Sequence, residues 1–252
     1  AHVEGVRALI VKGAMHLDHA MALAGKDDQA ALYHQGQVEL LTPLIKSYSS
    51  DTAFRVAELA IQVHGGVGYT MDYPVEQHAR DAKIFSIYEG TNGIQALDLV
   101  ARKLGQAGGM NTQRFLGDVA AFIEKNRDHA VLGPSVANLA AANEAVAGSV
   151  MQLLGWSQSG ELARIPLVAN RFLTMMSELT VGWLLLDAAV IALEKQQGLT
   201  KDDRDWAFYE GKRHAAVFFA QQVLPSVVGS AKMLSAGDTS PLDIPDAAFA
   251  TV

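Results

Sequence analysis

Apolar residues recur every three or four positions along almost the whole chain, and this spacing restricts the fold more than any other feature. Near the start, Val6, Ile10, Leu17 and Met21 follow one another at helical intervals. Such a period places apolar side chains on one face of an α-helix, whereas a half-buried strand needs strict alternation. No window reads as a strand, and aromatic residues are sparse. The sequence therefore predicts an all-α protein, with a helical bundle followed by a second helical domain.

Breaks in the helical period predict how the chain is divided. Asp28 is expected to cap a second helix that Pro43 kinks or divides, and Asp51 is expected to cap a third. The stretch from Gly105 to Met110 contains three glycines and no large aliphatic residue, which favours a linker. The predicted divisions are a bundle domain over residues 1–104, a linker over 105–111, a helical extension over 112–234 and an extended tail over 235–252.

Charge and composition exclude several classes of function. The chain has 20 basic and 27 acidic residues, a net charge of −7, which argues against a protein that binds nucleic acid. It has no cysteine, so disulfides, thiol catalysis and cysteine-ligated zinc are excluded, and no metal site is predicted. The most apolar stretch, Leu167 to Leu193, is interrupted by Arg171, Glu178 and Asp187. Because a membrane span needs about 20 mainly apolar residues, we expect a buried helix there and no membrane insertion.

The run Gln62-Val63-His64-Gly65-Gly66-Val67-Gly68-Tyr69 departs from ordinary helical packing. Glycines at a helix exit let a backbone approach a ligand closely, and exposed amides can hold phosphate oxygens. The spacing differs from the dinucleotide fingerprint, and no strand precedes it. The residues alone favour a helix C-cap followed by a loop over a ligand-binding segment.

Glu89 lies just before a predicted helix, beside the apolar run Ile84-Phe85 and Ile87-Tyr88. Apolar surroundings raise the pKa of a carboxyl by desolvation, while nearby helix amides stabilise its anion. A carboxylate in that position could serve as a base toward carbon. An acidic residue near a helix start is also a common structural placement, and the residues alone favour that structural interpretation.

Three further motifs follow the glycine-rich run in order: Asp72-Tyr73-Pro74-Val75-Glu76, Arg80-Asp81-Ala82-Lys83-Ile84 and Ile87-Tyr88-Glu89-Gly90-Thr91-Asn92-Gly93-Ile94-Gln95. Together the four motifs resemble the C-terminal helical domain of the acyl-CoA dehydrogenases. The resemblance covers about residues 3–104, and residues from about 110 onward more weakly resemble the C-terminal extension of the longer bacterial members.

The resemblance implies an enzyme that uses FAD to desaturate an acyl-CoA thioester between its α and β carbons. Glu89 matches the family's base, and Gly90 matches a position that touches the substrate. Thr91, Asn92 and Gly93 match flavin-contacting positions. The segment that holds the adenosine-diphosphate part of FAD, usually from a neighbouring subunit, is matched by Gln62, Val63, His64, Gly65 and Gly66.

The same resemblance implies a homo-oligomer that passes electrons to an electron-transfer flavoprotein or a similar acceptor, and a cytoplasmic location if the source is bacterial. Gly93 stands where many members carry a polar side chain, so only its backbone is available for contacts. His64 is interpreted as a helix-end residue, and Arg80-Asp81 as an ion pair that orders the loop.

Two alternatives remain open at the level of sequence: an acyl-CoA oxidase that uses oxygen as acceptor, and a helical oligomerisation module without catalysis. The chain begins at Ala1 within a helical pattern. We therefore expect it to be the C-terminal portion of a longer enzyme, and to be inactive by itself.

Overall fold

The computed structural model describes residues 1–250, and within that range the chain is helical. It contains short 3-10 and π turns but no strand, which confirms the all-α prediction. The predicted tail forms 3-10 turns at Ser240–Asp243 and Asp246–Phe249, and residues 251–252 lie outside the described range. The α-helices are α1 His2–Leu23, α2 Asp28–His64, α3 Val75–Lys83, α4 Asn92–Asp98, α5 Met110–Asn126, α6 Gly133–Ser159, α7 Arg164–Gln196, α8 Arg204–Gln222 and α9 Leu224–Ser235.

Helix α2 is longer than the sequence predicted. The predicted break near Pro43 and the predicted new helix at Asp51 are wrong, because α2 continues through both positions. Pro43 removes a backbone hydrogen bond, but its ring is buried, and packing against neighbouring helices offsets that loss. The cap also differs by one residue, since the carboxylate of Asp27, not Asp28, accepts a hydrogen bond from the Ala30 N–H at 3.0 Å.

Helix α7 joins the two halves of the chain. It packs against α1, α2 and α4 on one side and against α6, α8 and α9 on the other. Phe172, Met176 and Leu179 on α7 have no exposed surface. Helix α1 approaches α7 so closely that a Cβ added to Gly5 would lie 2.3 Å from Val181 Cγ1. Only glycine fits at residue 5 without a shift of its neighbours. The backbone of α1 therefore packs directly against the Val181 side chain of α7.

The apolar stretch of α7 was expected to be a buried helix. Among residues 1–250, α7 is the one helix long and apolar enough to cross a membrane, and 61% of its most apolar window is buried inside the protein. The Glu178 carboxylate on α7 accepts a hydrogen bond from Ser226 Oγ on α9 at 2.9 Å. Burial raises the pKa of Glu178, and the hydrogen bond opposes that rise. These contacts favour a core helix.

The predicted linker is short and well connected to its surroundings. A 3-10 turn at Gln106–Gly109 leads directly into α5. Gln37 on α2 donates a buried hydrogen bond of 3.0 Å from Nε2 to the Asn111 carbonyl at the start of α5. Buried side chains on both sides of the turn belong to one continuous cluster. The division at residues 105–111 stays a prediction, and the two halves share a core across it.

Three histidines meet where α1 faces the start of α2. His16 is buried, with 3% of its surface exposed, and its Nδ1 lies 2.8 Å from His34 Nδ1. The His34 ring also stacks on His19 with the ring centroids 4.8 Å apart. Burial, followed by the positive charge of Lys12, lowers the pKa of His16 to about 4. His16 is therefore held neutral in the folded protein at pH values where a free histidine is protonated.

Acidification should destabilise the protein through His16. A depressed pKa in the folded state means that the stabilising contribution is complete above about pH 6.5 and is lost as the pH falls toward 4. Between pH 7.5 and pH 5 we expect a loss of about 1–2 kcal/mol, because solvent partly screens the charge on the ring. Urea unfolding at pH 7.5 and pH 5 measures this loss. His16→Gln should reduce the difference between the two pH values, whereas His78→Gln on exposed α3 should leave it unchanged. An equal pH dependence in the wild type and His16→Gln would contradict this assignment.

Candidate functional site

Glu89 lies in a short loop between a 3-10 turn at Ile84–Ser86 and the start of α4. Its φ angle is 51°, and that of Gly90 is 83°, so two successive residues adopt left-handed backbone conformations. This conformation costs a non-glycine residue about 1 kcal/mol, and persists only where the surroundings impose it. A strained loop with an ionisable side chain is a pattern typical of functional sites.

Asn92 holds the end of this loop on α2. Its Nδ2 donates to Asp51 Oδ1 at 2.7 Å, Ser50 Oγ at 2.9 Å and the Ser47 carbonyl at 3.3 Å. Its Oδ1 accepts from Lys46 Nζ at 2.9 Å and from Ser50 Oγ at 3.1 Å. The side-chain amide is therefore fully engaged within the chain. Asn92 was predicted to contact flavin, but its side chain can do so only by giving up contacts with α2.

Several backbone N–H groups of the loop have no hydrogen-bond acceptor within residues 1–250. The Thr91 hydroxyl accepts a hydrogen bond from the Ile94 N–H at 3.2 Å and caps α4. Within residues 1–250, the N–H groups of Glu89, Gly90 and Thr91 donate no hydrogen bond. Because exposed N–H groups in successive residues attract negative charge, the loop can hold an oxygen anion next to the Glu89 carboxylate.

The apolar enclosure expected around Glu89 is absent from the part of the chain that the structure describes. Glu89 is exposed, and so are the apolar side chains beside it in sequence. Nine apolar side chains between the end of α2 and the start of α4 are 42–89% exposed: Val63, Val67, Tyr69, Met71, Tyr73, Ile84, Phe85, Ile87 and Tyr88. We call this set the loop face. Such a concentration of exposed apolar side chains marks an interaction surface.

The glycine-rich run begins at the C-terminal end of α2. Gly65 has a φ of 66° and donates its N–H to the Gln62 carbonyl, so it ends the helix. His64 Nδ1 lies 2.9 Å from the Ala60 carbonyl, in agreement with a helix-end role. Gly66 has no positive φ, and a Cβ added there would meet nothing within 4 Å. Within residues 1–250, no contact requires glycine at residue 66, so the space beside its backbone is open.

The two candidate segments are attached at different positions along α2. Asn92 fixes the Glu89 loop near Asp51 on α2, whereas Gln62 lies eleven residues further along the same helix. At a rise of 1.5 Å per residue, the two positions are about 17 Å apart along the helix axis. This separation is compatible with a prediction made from the sequence. It places Glu89 in one binding site and the segment from Gln62 to Gly66 in the site of a neighbouring subunit.

The ion pair of Arg80 on helix α3 differs from the predicted one. Arg80 was expected to pair with Asp81, but it forms its ion pair with Glu76, one turn earlier on the same helix face. Adjacent residues on a helix point in different directions, whereas residues four apart are neighbours. Lys83 also lies over the Phe54 ring of α2, 5.2 Å from its centroid. These contacts fix α3 and thereby the segment that leads to Glu89.

Comparison with known protein families identifies the same family as the sequence motifs. One family model, described as acetyl-CoA dehydrogenase C-terminal like, matches residues 115–245, more than half of the chain. A second, acyl-CoA dehydrogenase, C-terminal domain, matches residues 3–105. The chain belongs to the acyl-CoA dehydrogenase family.

Relatives within the family are longer than this chain. The broad-specificity linear acyl-CoA dehydrogenase FadE5 of Mycobacterium tuberculosis is 34% identical over 99% of this chain and 41% of its own length. A butyryl-CoA dehydrogenase of Syntrophomonas wolfei is 32% identical over 98% of this chain and 40% of its own length. The chain thus spans about two fifths of these acyl-CoA dehydrogenases.

A solved structure supports the fold. The acyl-CoA dehydrogenase of Bacillus anthracis, complexed with FAD, has a TM-score of 0.68 and 20% sequence identity over 94% of this chain and 41% of its own. At that identity the likeness shows that both halves of this chain adopt an arrangement found in an acyl-CoA dehydrogenase.

Removing the Asn92 side chain should loosen the start of α4 and the Glu89 loop. Asn92→Ala removes the side-chain contacts with Lys46, Ser47, Ser50 and Asp51 on α2, and we expect the free energy of unfolding to fall by about 1–3 kcal/mol. Amide hydrogen exchange at residues 89–93 should become faster. The control is Asn170→Ala on the exposed face of α7, with an expected change within about 0.5 kcal/mol. Unchanged exchange at residues 89–93 would show that Asn92 does not hold the loop.

Proposed function

We propose that the protein acts as a FAD-dependent acyl-CoA dehydrogenase and that this chain supplies its catalytic base, Glu89. The substrate is an acyl-CoA thioester, which is desaturated between its α and β carbons. Family membership supports the reaction class. The placement of Glu89 in a left-handed loop that Asn92 fastens to α2 is the observation that carries the assignment.

The reaction requires two groups near the α carbon, a base and a hydrogen-bond donor. A thioester α proton is a very weak acid, so a carboxylate can remove it only if the developing negative charge on the thioester oxygen is stabilised. Glu89 offers the carboxylate, and its own N–H is a free donor within residues 1–250. Carboxylate and donor belong to one residue, so fixing the backbone of Glu89 positions both.

Gly90 is proposed to face the thioester, as the family resemblance implies. Its φ of 83° favours glycine by itself, and a Cβ there would lie 2.9 Å from Gln95 Nε2. A side chain at residue 90 would therefore disturb the Glu89 loop even without substrate. The requirement for glycine supports a role in shaping the loop as well as in leaving room for the substrate.

The residues present fit a bound FAD at two separate places. The segment Gln62 to Gly66 is exposed, and the open space beside Gly66 within residues 1–250 leaves room for the adenosine-diphosphate part. The Thr91 hydroxyl and the backbone of Gly93 are open to the flavin, whereas Asn92 acts through its contacts with α2. When bound, FAD accepts the hydride that leaves the β carbon. Glu89 holds the proton taken from the α carbon.

The proposed assembly is a homo-oligomer. The family resemblance assigns the contacts of Thr91 and Gly93 and those of Gln62 to Gly66 to FAD molecules bound in different subunits. The exposed apolar loop face lies between them and would be covered in such an assembly. An electron-transfer flavoprotein or a similar acceptor is the proposed oxidant of the reduced cofactor.

Replacing the proposed base should remove activity while leaving the fold intact. In a full-length acyl-CoA dehydrogenase that contains this chain, Glu89→Gln should lower kcat by about 1,000-fold, because the amide cannot take the α proton. Flavin content should not change. Glu144→Gln, an equivalent change at an exposed position of α6, is the control and should retain activity. Turnover close to wild type in Glu89→Gln would exclude Glu89 as the base.

The chain by itself should not work as an enzyme. Because the Glu89 loop and the Gln62–Gly66 segment are both exposed in residues 1–250, we expect the purified chain to bind FAD weakly and to turn over no acyl-CoA. Visible absorbance after gel filtration with added FAD measures retention, and a dye-reduction assay measures turnover. Stoichiometric flavin together with acyl-CoA oxidation would contradict this expectation.

A further inference from the structure

Two oppositely charged side chains of α2 hold the two ends of the Asn92 amide. Lys46 Nζ donates a hydrogen bond to Asn92 Oδ1 at 2.9 Å, and Asp51 Oδ1 accepts one from Asn92 Nδ2 at 2.7 Å. An ammonium group offers only donors, whereas an ionised carboxylate offers only acceptors. Hydrogen bonds to charged groups are also stronger than those between neutral groups. Lys46 and Asp51 therefore bind opposite ends of one side chain firmly.

The Ser50 hydroxyl does not replace Lys46 as the donor to the amide oxygen. Its Oγ lies 3.1 Å from Asn92 Oδ1, but 2.9 Å from the backbone carbonyls of both Lys46 and Ser47. A hydroxyl has one proton, and here that proton is directed to the backbone of the same helix. The Ser50 oxygen is then left to accept from Asn92 Nδ2, at 2.9 Å. Within residues 1–250, Lys46 is therefore the one donor committed to the amide oxygen.

The nitrogen end of the Asn92 amide has more partners than the oxygen end. Its two protons can reach Asp51 Oδ1, Ser50 Oγ and the Ser47 carbonyl, at 2.7, 2.9 and 3.3 Å. Loss of any one of these acceptors leaves the other two. Loss of the Lys46 ammonium group leaves the oxygen without a committed donor, so the side chain can pivot about its nitrogen end.

The packing of α2 does not account for a lysine at residue 46. The Lys46 side chain is half-buried and forms no ion pair within residues 1–250. Asn92 Oδ1 is the one side-chain atom that its ammonium group binds in that part of the chain. A partly buried ammonium group loses hydration at a cost in free energy, whereas a methionine of similar length would fill the same space without that cost. The contact with Asn92 is therefore the physical role found for this charge.

The contact between Lys46 and Asn92 reaches Glu89 through the start of α4. Asn92 is the first residue of α4, and Thr91 before it caps the helix. Glu89 lies three residues before Asn92 and is exposed, so burial does not fix its position. The left-handed backbone of Glu89 is held from the α4 side, where Asn92 is fastened to α2. A displacement of Asn92 therefore moves Glu89.

We propose that Lys46 is a positioning residue for the base. Its ammonium group holds the oxygen end of the Asn92 amide and thereby fixes the distance from the Glu89 carboxylate to the α carbon of the thioester. This inference rests on the proposed function of Glu89. Lys46 acts through Asn92 and touches neither the substrate nor the flavin. Because a reaction rate depends steeply on the placement of the reacting groups, a displacement of about 1 Å costs about 100-fold in rate.

The test uses a full-length acyl-CoA dehydrogenase that contains this chain, with its FAD bound. Stopped-flow absorbance without oxygen measures the rate of flavin reduction per bound flavin, so that unfolded molecules do not count. The substrate is the straight-chain acyl-CoA that the wild type oxidises fastest, in its ordinary form and with deuterium on the α carbon. Lys46→Met removes the donor, and Lys46→Arg keeps one. The matched control is Lys212→Met, because Lys212 is also half-buried and binds a side chain on another helix, that of Glu4.

We expect Lys46→Met to lower the limiting rate of flavin reduction by about 10–100-fold, because the base is displaced. The acyl-CoA concentration that gives half of this rate should stay within about threefold of the wild type, since Lys46 does not touch the substrate. The deuterium isotope effect should rise, because removal of the α proton then limits the rate more fully. Lys46→Arg should recover most of the rate, and Lys212→Met should stay within about twofold of the wild type.

Three results would overturn the inference, and they differ in what they say about the proposed function. A rate for Lys46→Met equal to that of Lys212→Met, in an enzyme that Glu89→Gln inactivates, would exclude the positioning role and leave Glu89 as the base. Loss of flavin content or thermal stability in Lys46→Met, with an unchanged rate per bound flavin and an unchanged isotope effect, would show a purely structural role. Turnover close to wild type in Glu89→Gln would refute the proposed function and this inference with it.

Discussion

The rest of the structure depends on the packing of α7 between the two halves of the chain. Helices from both family-matched regions pack on it, and its contact with α1 is so close that Gly5 has no room for a side chain. Burial of large apolar side chains such as Phe172 is the main source of stability, at roughly 25 cal/mol for each Å² removed from water. The second half therefore acts as the support on which the first half, with its candidate site, is held rigid.

The candidate site shows how a rigid scaffold can hold a strained loop. Glu89 and Gly90 adopt left-handed conformations that a free chain seldom populates. Thr91 caps α4, and Asn92 fastens α4 to α2. These contacts hold the loop in its left-handed conformation. The carboxylate and N–H of Glu89 remain exposed, next to a loop face that no part of residues 1–250 covers. The proposed base and its backbone donor are thus open to contacts from outside residues 1–250.

Sequence alone predicts the fold class and the family, because both depend on local patterns: the helical period and the ordered motifs around Glu89. It fails where distant packing decides. Pro43 reads as a helix break, yet it is buried within α2, since tertiary contacts outweigh a local preference. The role of Asn92 was missed because its partners lie more than 40 residues away, although the polar stretch Lys46 to Asp51 inside an apolar helix was a signal. The left-handed φ of Glu89 has no signature in sequence beyond the adjacent Gly90.

A crystal structure of a full-length enzyme containing this chain, with FAD and an unreactive acyl-CoA analogue bound, would test the central claim most directly. The quantity to measure is the distance from the Glu89 carboxylate oxygens to the α carbon of the thioester. Our account predicts about 3–3.5 Å, the separation of atoms poised to react. A Glu89 side chain directed into water, with a different carboxylate or histidine nearest the α carbon, would contradict it.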